Sequence, residues 1–238
     1  AAPVDPEASA TDRELVPGAT GGRFPPLDVI FPVLHGPYGE DGTVQGLLEL
    51  AGVPYVGCGV LAGSLAMDKI VSKKIFIAHG LPVAPYRAIT RKRWESEPAA
   101  VIAELETHLG YPMFVKPANM GSSVGVGRAG DHVELEAALA EAARYDRKLL
   151  IEAAVPNARE IECGVLGNDE PLSSVPGEIV PSSEFYNYAA KYLDGRSESR
   201  IPAPSPAEVA AQVREQALEA FLALDGAGLA RVDFLLDD

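Results

Sequence analysis

The chain has 238 residues, of which 47% are hydrophobic and 23% charged, so it holds enough apolar material for a folded core. Its formal net charge of −14 disfavours binding to nucleic acid or to anionic membranes. Since no apolar run approaches the roughly 18 residues of a membrane span and no secretory signal pattern is present, we expect a cytoplasmic protein without membrane insertion. Cys58 and Cys163 lack metal-ligand spacing and are expected to be reduced, buried thiols.

The elements follow one another as alternating helical and extended patterns. Helical spacing of apolar residues predicts helices at 43–51, 67–79, 97–109, 131–145 and 206–224. Short apolar or alternating runs predict strands at 28–34, 53–56, 86–90, 111–116, 148–152, 160–166, 173–180 and 228–236. The first two strands and the helix between them are typical of an α/β unit. The polar, aromatic stretch 181–200 has no period and is expected to be a functional or mobile loop.

The segment HGPYGEDGTVQ at 35–45 places three glycines between a predicted strand and a predicted helix. Glycines in such a turn let backbone amides approach a ligand, and the helix start favours an anion. Glu40 and Asp41 are expected to cap the first amides of the helix. A well-capped turn with a packed His35 is the simpler interpretation of these residues alone.

Two lysines stand where a cation needs a partner. Lys69 lies at a helix start, and Lys116 ends an apolar strand. A structural carboxylate could satisfy either one. The GSSVG segment at 121–125 carries two hydroxyls, Ser122 and Ser123, and free backbone amides, so it could cover phosphates or be a plain surface hairpin. Together these residues predict a triphosphate site with lysines on one side and a Ser/Gly loop on the other.

The strings HGxxGEDGxxQ and YPxxVKP…GSSVG resemble the D-alanine–D-alanine ligase family, a branch of the ATP-grasp superfamily. The resemblance implies an α/β ATP-grasp fold with a partial, Rossmann-like N-terminal subdomain. It implies three units: a partial N-terminal subdomain at 1–66, a central ATP-grasp subdomain at 67–156 and an incomplete C-terminal one at 157–238. In this family Lys69, Lys116, Ser122 and Ser123 would bind ATP, Ser123 would also serve catalysis, and His35 would serve catalysis and substrate binding.

The resemblance also implies a nucleotide pocket at Glu152 and Glu160, which would hold the adenine amino group and the ribose hydroxyls. Carboxylates accept hydrogen bonds from such donors. The open alternative is that both glutamates pair with arginines such as Arg159.

The stretch 184–192 matches the family's mobile loop, whose closure would exclude water from the reaction. By resemblance, Lys191 would bind ATP phosphate, Tyr188 and Tyr192 would bind substrate, and Tyr192 would also serve catalysis. Tyr192 favours an amine acceptor over D-lactate. Aromatic residues that merely anchor a structural loop are the alternative.

The last motif is GLARVDF at 228–234, where strand alternation puts Arg231 and Asp233 on one face. The residues alone indicate an exposed ion pair. By resemblance, Asp233 would bind Mg²⁺ (or Mn²⁺), with K⁺ as a further activating ion, and Arg231 would bind substrate and stabilise the reacting oxygens. The family's two other metal ligands and its first glycine-rich loop are missing, and we expect this sequence to be a fragment of a longer protein.

The function implied by the resemblance is ATP-dependent ligation of two D-alanines for peptidoglycan synthesis, through D-alanyl phosphate, in a homodimer. Ligation to D-serine, D-lactate or another acceptor is one alternative. A non-catalytic nucleotide-binding module is the other.

Overall fold

Two antiparallel sheets and the helices packed on them make up most of the computed structural model, which describes residues 27–181 and 197–237. The helices are α1 (Thr43–Ala51), α2 (Val60–Met67), α3 (Lys69–Ala78), α4 (Arg91–Ser96), α5 (Pro98–His108), α6 (His132–Ala142) and α7 (Ala207–Ala223). The strands are β1 (Tyr86–Thr90), β2 (Met113–Pro117), β3 (Gly127–Ala129), β4 (Lys148–Ala153), β5 (Arg159–Gly167), β6 (Leu172–Ser173), β7 (Gly177–Val180), β8 (Glu198–Arg200) and β9 (Gly228–Leu236).

The first sheet has the strand order β1-β4-β2-β3. One face of the sheet packs with α5 and α6 into the largest hydrophobic cluster, in which Val115, Leu105 and Leu139 are fully buried. A smaller cluster on Ile70, Ala118 and Leu150 joins α3 to β4. The end of β2 and the start of β4 thereby meet the start of α3.

The second sheet is built around β5, which pairs with β9 along its whole length. Strands β7 and β6 share the other edge of β5, and β8 pairs with β7. Alternate residues of β5, Ile161, Cys163 and Val165, pack against α7 and are buried. The predicted half-exposed antiparallel strand is confirmed, and its other face carries Glu160 and Glu162.

The N-terminal part contains a smaller amount of sheet than the sequence predicts. Between 28–34 and 53–56 the only strand pairing in the described residues is a parallel bridge of Ile30 with Tyr55, held by hydrogen bonds of 2.8 and 2.9 Å. Helix α1 connects the two bridging segments, as expected of an α/β unit. The predicted long strand at 28–34 is wrong; Pro32 has no amide hydrogen to extend the ladder.

Other elements also differ from the sequence prediction. The helix predicted at 67–79 begins at Lys69, because the Asp68 carboxylate caps the amides of Ile70 and Val71 at 3.1 and 3.2 Å. Helix α2 precedes it and was not predicted, since its apolar residues cover all sides and show no period. The strand predicted at 173–180 divides into β6 and β7.

Candidate active site

The Ser/Gly loop between β2 and β3 lies against the glycine-rich turn that precedes α1. A Cβ added at Gly121 would come within 3.1 Å of the Gly36 Cα atom, so the two backbones touch. Ser122 and Ser123 have φ of 51° and 60°, a left-handed conformation that is uncommon for residues other than glycine. Such unusual backbone is held by its surroundings and is frequent at ligand-binding loops.

The turn at 35–45 is stabilised by its own carboxylates. Asp41 accepts hydrogen bonds from the amides of Tyr38 and Thr43 at 2.8 and 2.9 Å, and Glu40 accepts one from Gly36 at 2.5 Å. Burial acts to raise the pKa of Asp41, but these hydrogen bonds outweigh it and lower that pKa. The predicted capping by Asp41 is confirmed, because it accepts from the amide of Thr43, the first residue of α1. The predicted capping by Glu40 is wrong, since its carboxylate accepts the Gly36 amide within the turn instead.

His35 is exposed at the mouth of an open cavity of about 360 Å³ next to this turn. The cavity is lined by Leu34, His35, Pro37, Tyr38, Gly39, Thr43, Val44 and Leu47. The lining is mainly apolar, and His35, Tyr38 and Thr43 are the polar side chains that this cavity offers to a ligand.

Lys69 ties the start of α3 to the Ser/Gly loop. Its amide donates to the Ala118 carbonyl at 3.1 Å, and its Nζ donates to the Met120 carbonyl at 2.5 Å. The predicted place of Lys69 at a helix start is confirmed, and its ammonium lies at the base of the loop that carries both serines.

Lys116 does have a structural carboxylate, and that carboxylate is Glu152. The Glu152 side chain, at the end of β4, contacts Lys116 Nζ through Oε2 at 2.5 Å and Lys73 Nζ through Oε1 at 2.6 Å. Burial acts to raise the pKa of Glu152, yet the charges of Lys116 and Lys73 outweigh it and keep that pKa below its ordinary value. The buried glutamate is therefore ionised at neutral pH.

A second ion pair, Lys148 with Asp68, fastens the start of β4 to the cap of α3. Neither this pair nor Lys73 was predicted from the sequence. The lysine run at 73–74 gives no sign of which residue turns inward, because the partner lies on a strand far away in the chain.

The alternative in which both glutamates pair with arginines such as Arg159 does not describe Glu152, whose partners are Lys73 and Lys116. Arg159 instead forms two bonds to Glu178, of 2.7 and 3.1 Å, and one to the Pro204 carbonyl at 2.8 Å. Glu160 is half-buried on β5, where its register partners are Ile179 and Leu235.

Arg231 and Asp233 share one face of β9, as predicted, and form a bidentate pair of 2.7 and 2.9 Å. Glu162 lies directly opposite Asp233 on β5 and reaches Arg231 at 3.2 Å. The hydrogen bond to Asp233, together with the charges of Asp233, Glu162 and Glu40, raises the pKa of Arg231 above its ordinary value.

The start of β9 also packs against the N-terminal part of the chain. A Cβ at Gly228, whose φ is +74°, would lie 2.9 Å from the Gly57 amide nitrogen, so glycine is required there. Cys58 and Cys163 are free thiols, half-buried and buried respectively. The close backbone contact joins the start of β9 to the segment between the Ile30–Tyr55 bridge and α2.

Asp233 and Glu162 are the residues that would hold a metal ion here. Both offer hard oxygen ligands on one strand face, and Mg²⁺ often uses few protein carboxylates together with phosphates. Among the residues that the structure describes, no group of three or more histidine, cysteine or carboxylate side chains is placed to hold a metal ion. Tyr188, Lys191 and Tyr192 lie outside the described residues.

No helix in the described ranges is both long enough and apolar enough to cross a membrane.

Comparison with known proteins assigns the chain to a family. Residues 5–58 match the family model described as D-ala D-ala ligase N-terminus, and residues 75–238 match D-ala D-ala ligase C-terminus. The D-alanine--D-alanine ligase of Heliobacterium modesticaldum is 59% identical over 212 residues, which are 89% of this chain and 58% of that protein. The corresponding ligase of Bacillus velezensis is 52% identical over 228 residues, 96% of this chain and 64% of the relative.

Among solved structures, the VanG D-Ala:D-Ser ligase from Enterococcus faecalis has a TM-score of 0.79 and 38% identity, covering 90% of this chain and 61% of that one. The predicted α/β ATP-grasp architecture is confirmed by this likeness. The chain spans between 58% and 64% of the length of these three proteins. With both family models matched in order and most of the chain covered by close relatives, the chain belongs to the D-alanine–D-alanine ligase family.

Proposed function

We propose that the protein carrying this sequence ligates two D-alanine molecules to D-alanyl-D-alanine, with ATP converted to ADP and phosphate, for peptidoglycan precursor synthesis. The observation that carries the proposal is the contact of Gly121 with Gly36, which unites the Ser/Gly loop and the His35 turn at one site. Relatives named D-alanine--D-alanine ligase, at 52–59% identity, support the same substrates.

The nucleotide half of the site is proposed to combine cations with two carboxylates. Lys69, Lys116 and Lys191 would neutralise the phosphates. Ser122 and Ser123 would cover them, with Ser123 close to the transferred phosphoryl group. Glu152 and Glu160 would bind the adenine amino group and the ribose hydroxyls. The position of Lys69 under the loop, with its Nζ on Met120, supports this arrangement.

The chemical step is proposed as acyl transfer through an acyl phosphate. A carboxylate oxygen of the first D-alanine attacks the γ-phosphorus of ATP, and ADP leaves. The amine of the second D-alanine then attacks the carbonyl carbon, loses a proton, and phosphate leaves. Arg231 would stabilise the oxyanion. His35, Tyr188 and Tyr192 would position the substrates, with His35 and Tyr192 serving the reaction itself.

A divalent cation, Mg²⁺ or Mn²⁺, is part of the proposal, and Asp233 with Glu162 would hold it. When bound, it would neutralise charge on the phosphate oxygens. K⁺ activation, a homodimeric assembly and a cytoplasmic location complete the proposal, with no nucleic-acid partner.

The proposal is tested by measuring ADP release from the full-length natural protein with ATP and a divalent cation. ADP release should depend on D-alanine, and mass spectrometry should detect D-alanyl-D-alanine. Mixed-acceptor assays with D-serine and D-lactate should yield mainly the D-alanine product. ADP release that is indifferent to D-alanine, or binding of ATP without turnover, would contradict the proposal.

A further inference from the structure

We propose that Lys73 is a positioning residue of the nucleotide site: it keeps Glu152 ionised and in place when a nucleotide phosphate draws Lys116 away. The proposal rests on the proposed function, because it assumes that Lys116 binds phosphate. The two lysines that share Glu152 have different roles in it: Lys73 holds the glutamate, and Lys116 binds phosphate.

The geometry gives each oxygen of Glu152 its own lysine. Oε1 contacts Lys73 at 2.6 Å and Oε2 contacts Lys116 at 2.5 Å. The Glu152 side chain is 9% exposed, that of Lys73 15% and that of Lys116 25%. Two cations for one buried carboxylate leave an excess positive charge, which suits a site that must also accept an anion.

The two lysines have similar aromatic supports but differ in exposure and in their place in the fold. Lys116 Nζ lies 5.8 Å from the centre of the Phe114 ring, and Phe114, like Tyr86, is a register partner of Glu152. Lys116 lies on β2, immediately before the segment that leads into the Ser/Gly loop, and the proposed function places the phosphates at that loop. Lys73 is one helical turn beyond Lys69 on α3, and its ammonium lies 5.4 Å from the centre of the Tyr86 ring. The Lys73 side chain is 15% exposed and that of Lys116 is 25% exposed, so Lys116 is the more accessible of the two cations.

A buried carboxylate that loses its only cation is strongly unfavourable. With Lys73 present, Lys116 can turn to phosphate while Glu152 keeps one ion pair and its orientation toward the base. Without Lys73, Lys116 would have to serve both Glu152 and the phosphate. Removal of Lys73 should therefore weaken binding of phosphorylated nucleotides but leave the nucleotide-free fold intact, since Lys116 still pairs with Glu152.

The test is calorimetric binding of ADP to the full-length wild-type protein and to K73M, with K74M as the matched control. Lys74 is the neighbouring residue and is exposed. K73M should bind ADP about tenfold more weakly, K74M should bind like wild type, and K73R, which restores the charge, should recover most of the affinity.

A double-mutant cycle with E152Q separates positioning from direct contact. Once Glu152 is neutral, Lys116 is no longer shared, so adding K73M should change ADP affinity less than about twofold. The inference would be overturned if K73M lowered ADP affinity by the same factor in the E152Q background as in wild type. It would also be overturned if K73M bound ADP as tightly as wild type, or if K73M failed to fold. Wild-type protein that does not bind ADP would overturn the proposed function together with it.

Discussion

Glu162 and Asp233 face each other directly across β5 and β9, and the Arg231 guanidinium bonds to both. Opposed like charges on a sheet are ordinarily destabilising, and here the arginine neutralises them. A divalent cation is also able to bind such a carboxylate pair. The predicted exposed ion pair and the metal ligand implied by resemblance are therefore compatible descriptions of the same residues.

Replacing Arg231 with methionine should leave Glu162 and Asp233 repelling each other. Because the arginine side chain is 59% exposed, the free energy of unfolding should fall by at most about 1 kcal/mol, which corresponds to roughly 2–4 °C in Tm. Added Mg²⁺ should raise the Tm of R231M more than that of wild type, while ligase turnover is lost.

R200M is the matched control for this experiment, since Arg200 forms the same kind of exposed bidentate pair with Glu198, at 3.1 and 3.0 Å. R200M should keep its turnover and show no extra response to Mg²⁺. An R231M protein with normal turnover would contradict the role given to Arg231.

Asp233→Asn should raise the divalent-cation concentration that is needed for half-maximal ADP release, because an amide oxygen is a weaker ligand than a carboxylate. Maximal turnover should also fall, at least about hundredfold. The measurement is ADP release during a cation titration. Asp169→Asn, on the exposed turn between β5 and β6, should behave like wild type. If both variants gave the same cation titration, Asp233 would not be a ligand of the proposed metal site.

The elements with a clear period were predictable from sequence, whereas the long-range pairings were not. Strand β5 alternates charged and apolar residues, and this pattern alone indicates its buried and exposed faces. Helix α2 is apolar on all sides, so periodicity could not distinguish it from a strand or a loop.

Partners of buried charges were the least predictable part of the site. Glu152 could be singled out by its position at the end of an apolar strand, but its contact with Lys73 depends on how α3 packs on the sheet. The same holds for Arg159, whose partner Glu178 is on a neighbouring strand. Sequence motifs predict which residues would carry the chemistry, and only the tertiary structure gives their ion pairs.

Gly121→Val should separate the Ser/Gly loop from the His35 turn. A Cβ at 121 already lies 3.1 Å from the Gly36 Cα, and valine adds two further methyl groups at that contact. We expect turnover to fall at least tenfold, with a stability loss of about 1–3 kcal/mol from overpacking. ADP release measures the change in turnover, and thermal melting measures the change in stability.

Gly46→Ala is the control glycine substitution. It lies inside α1, where a Cβ would be an ordinary 3.9 Å from Val60 Cγ2. This variant should keep its activity and gain about 0.5–1 kcal/mol of stability, because alanine is the better helix former. A G121V protein as active as G46A would show that the loop contact is not needed.

The stability contributed by Glu152 should depend on pH in a defined direction. Its folded-state pKa is lowered below the ordinary value of 4.5, so the carboxylate stabilises the protein above that value and loses the contribution as pH falls through the folded-state pKa. Glu152→Gln should therefore destabilise the protein at pH 7, by about 2–3 kcal/mol, because both lysines lose a charged partner. Below pH 4.5 the gap between wild type and variant, meaning the difference in their free energies of unfolding, should narrow.

Urea denaturation of both proteins from pH 7 to pH 3 measures this gap. Glu170→Gln, on the exposed turn after β5, is the matched control and should show almost no gap at any pH. With Glu170→Gln correcting for the general effect of acid, a difference that narrows toward pH 3 reports protonation of Glu152 itself. A gap that is constant or widens toward acid would mean that the carboxylate is not held ionised by Lys73 and Lys116.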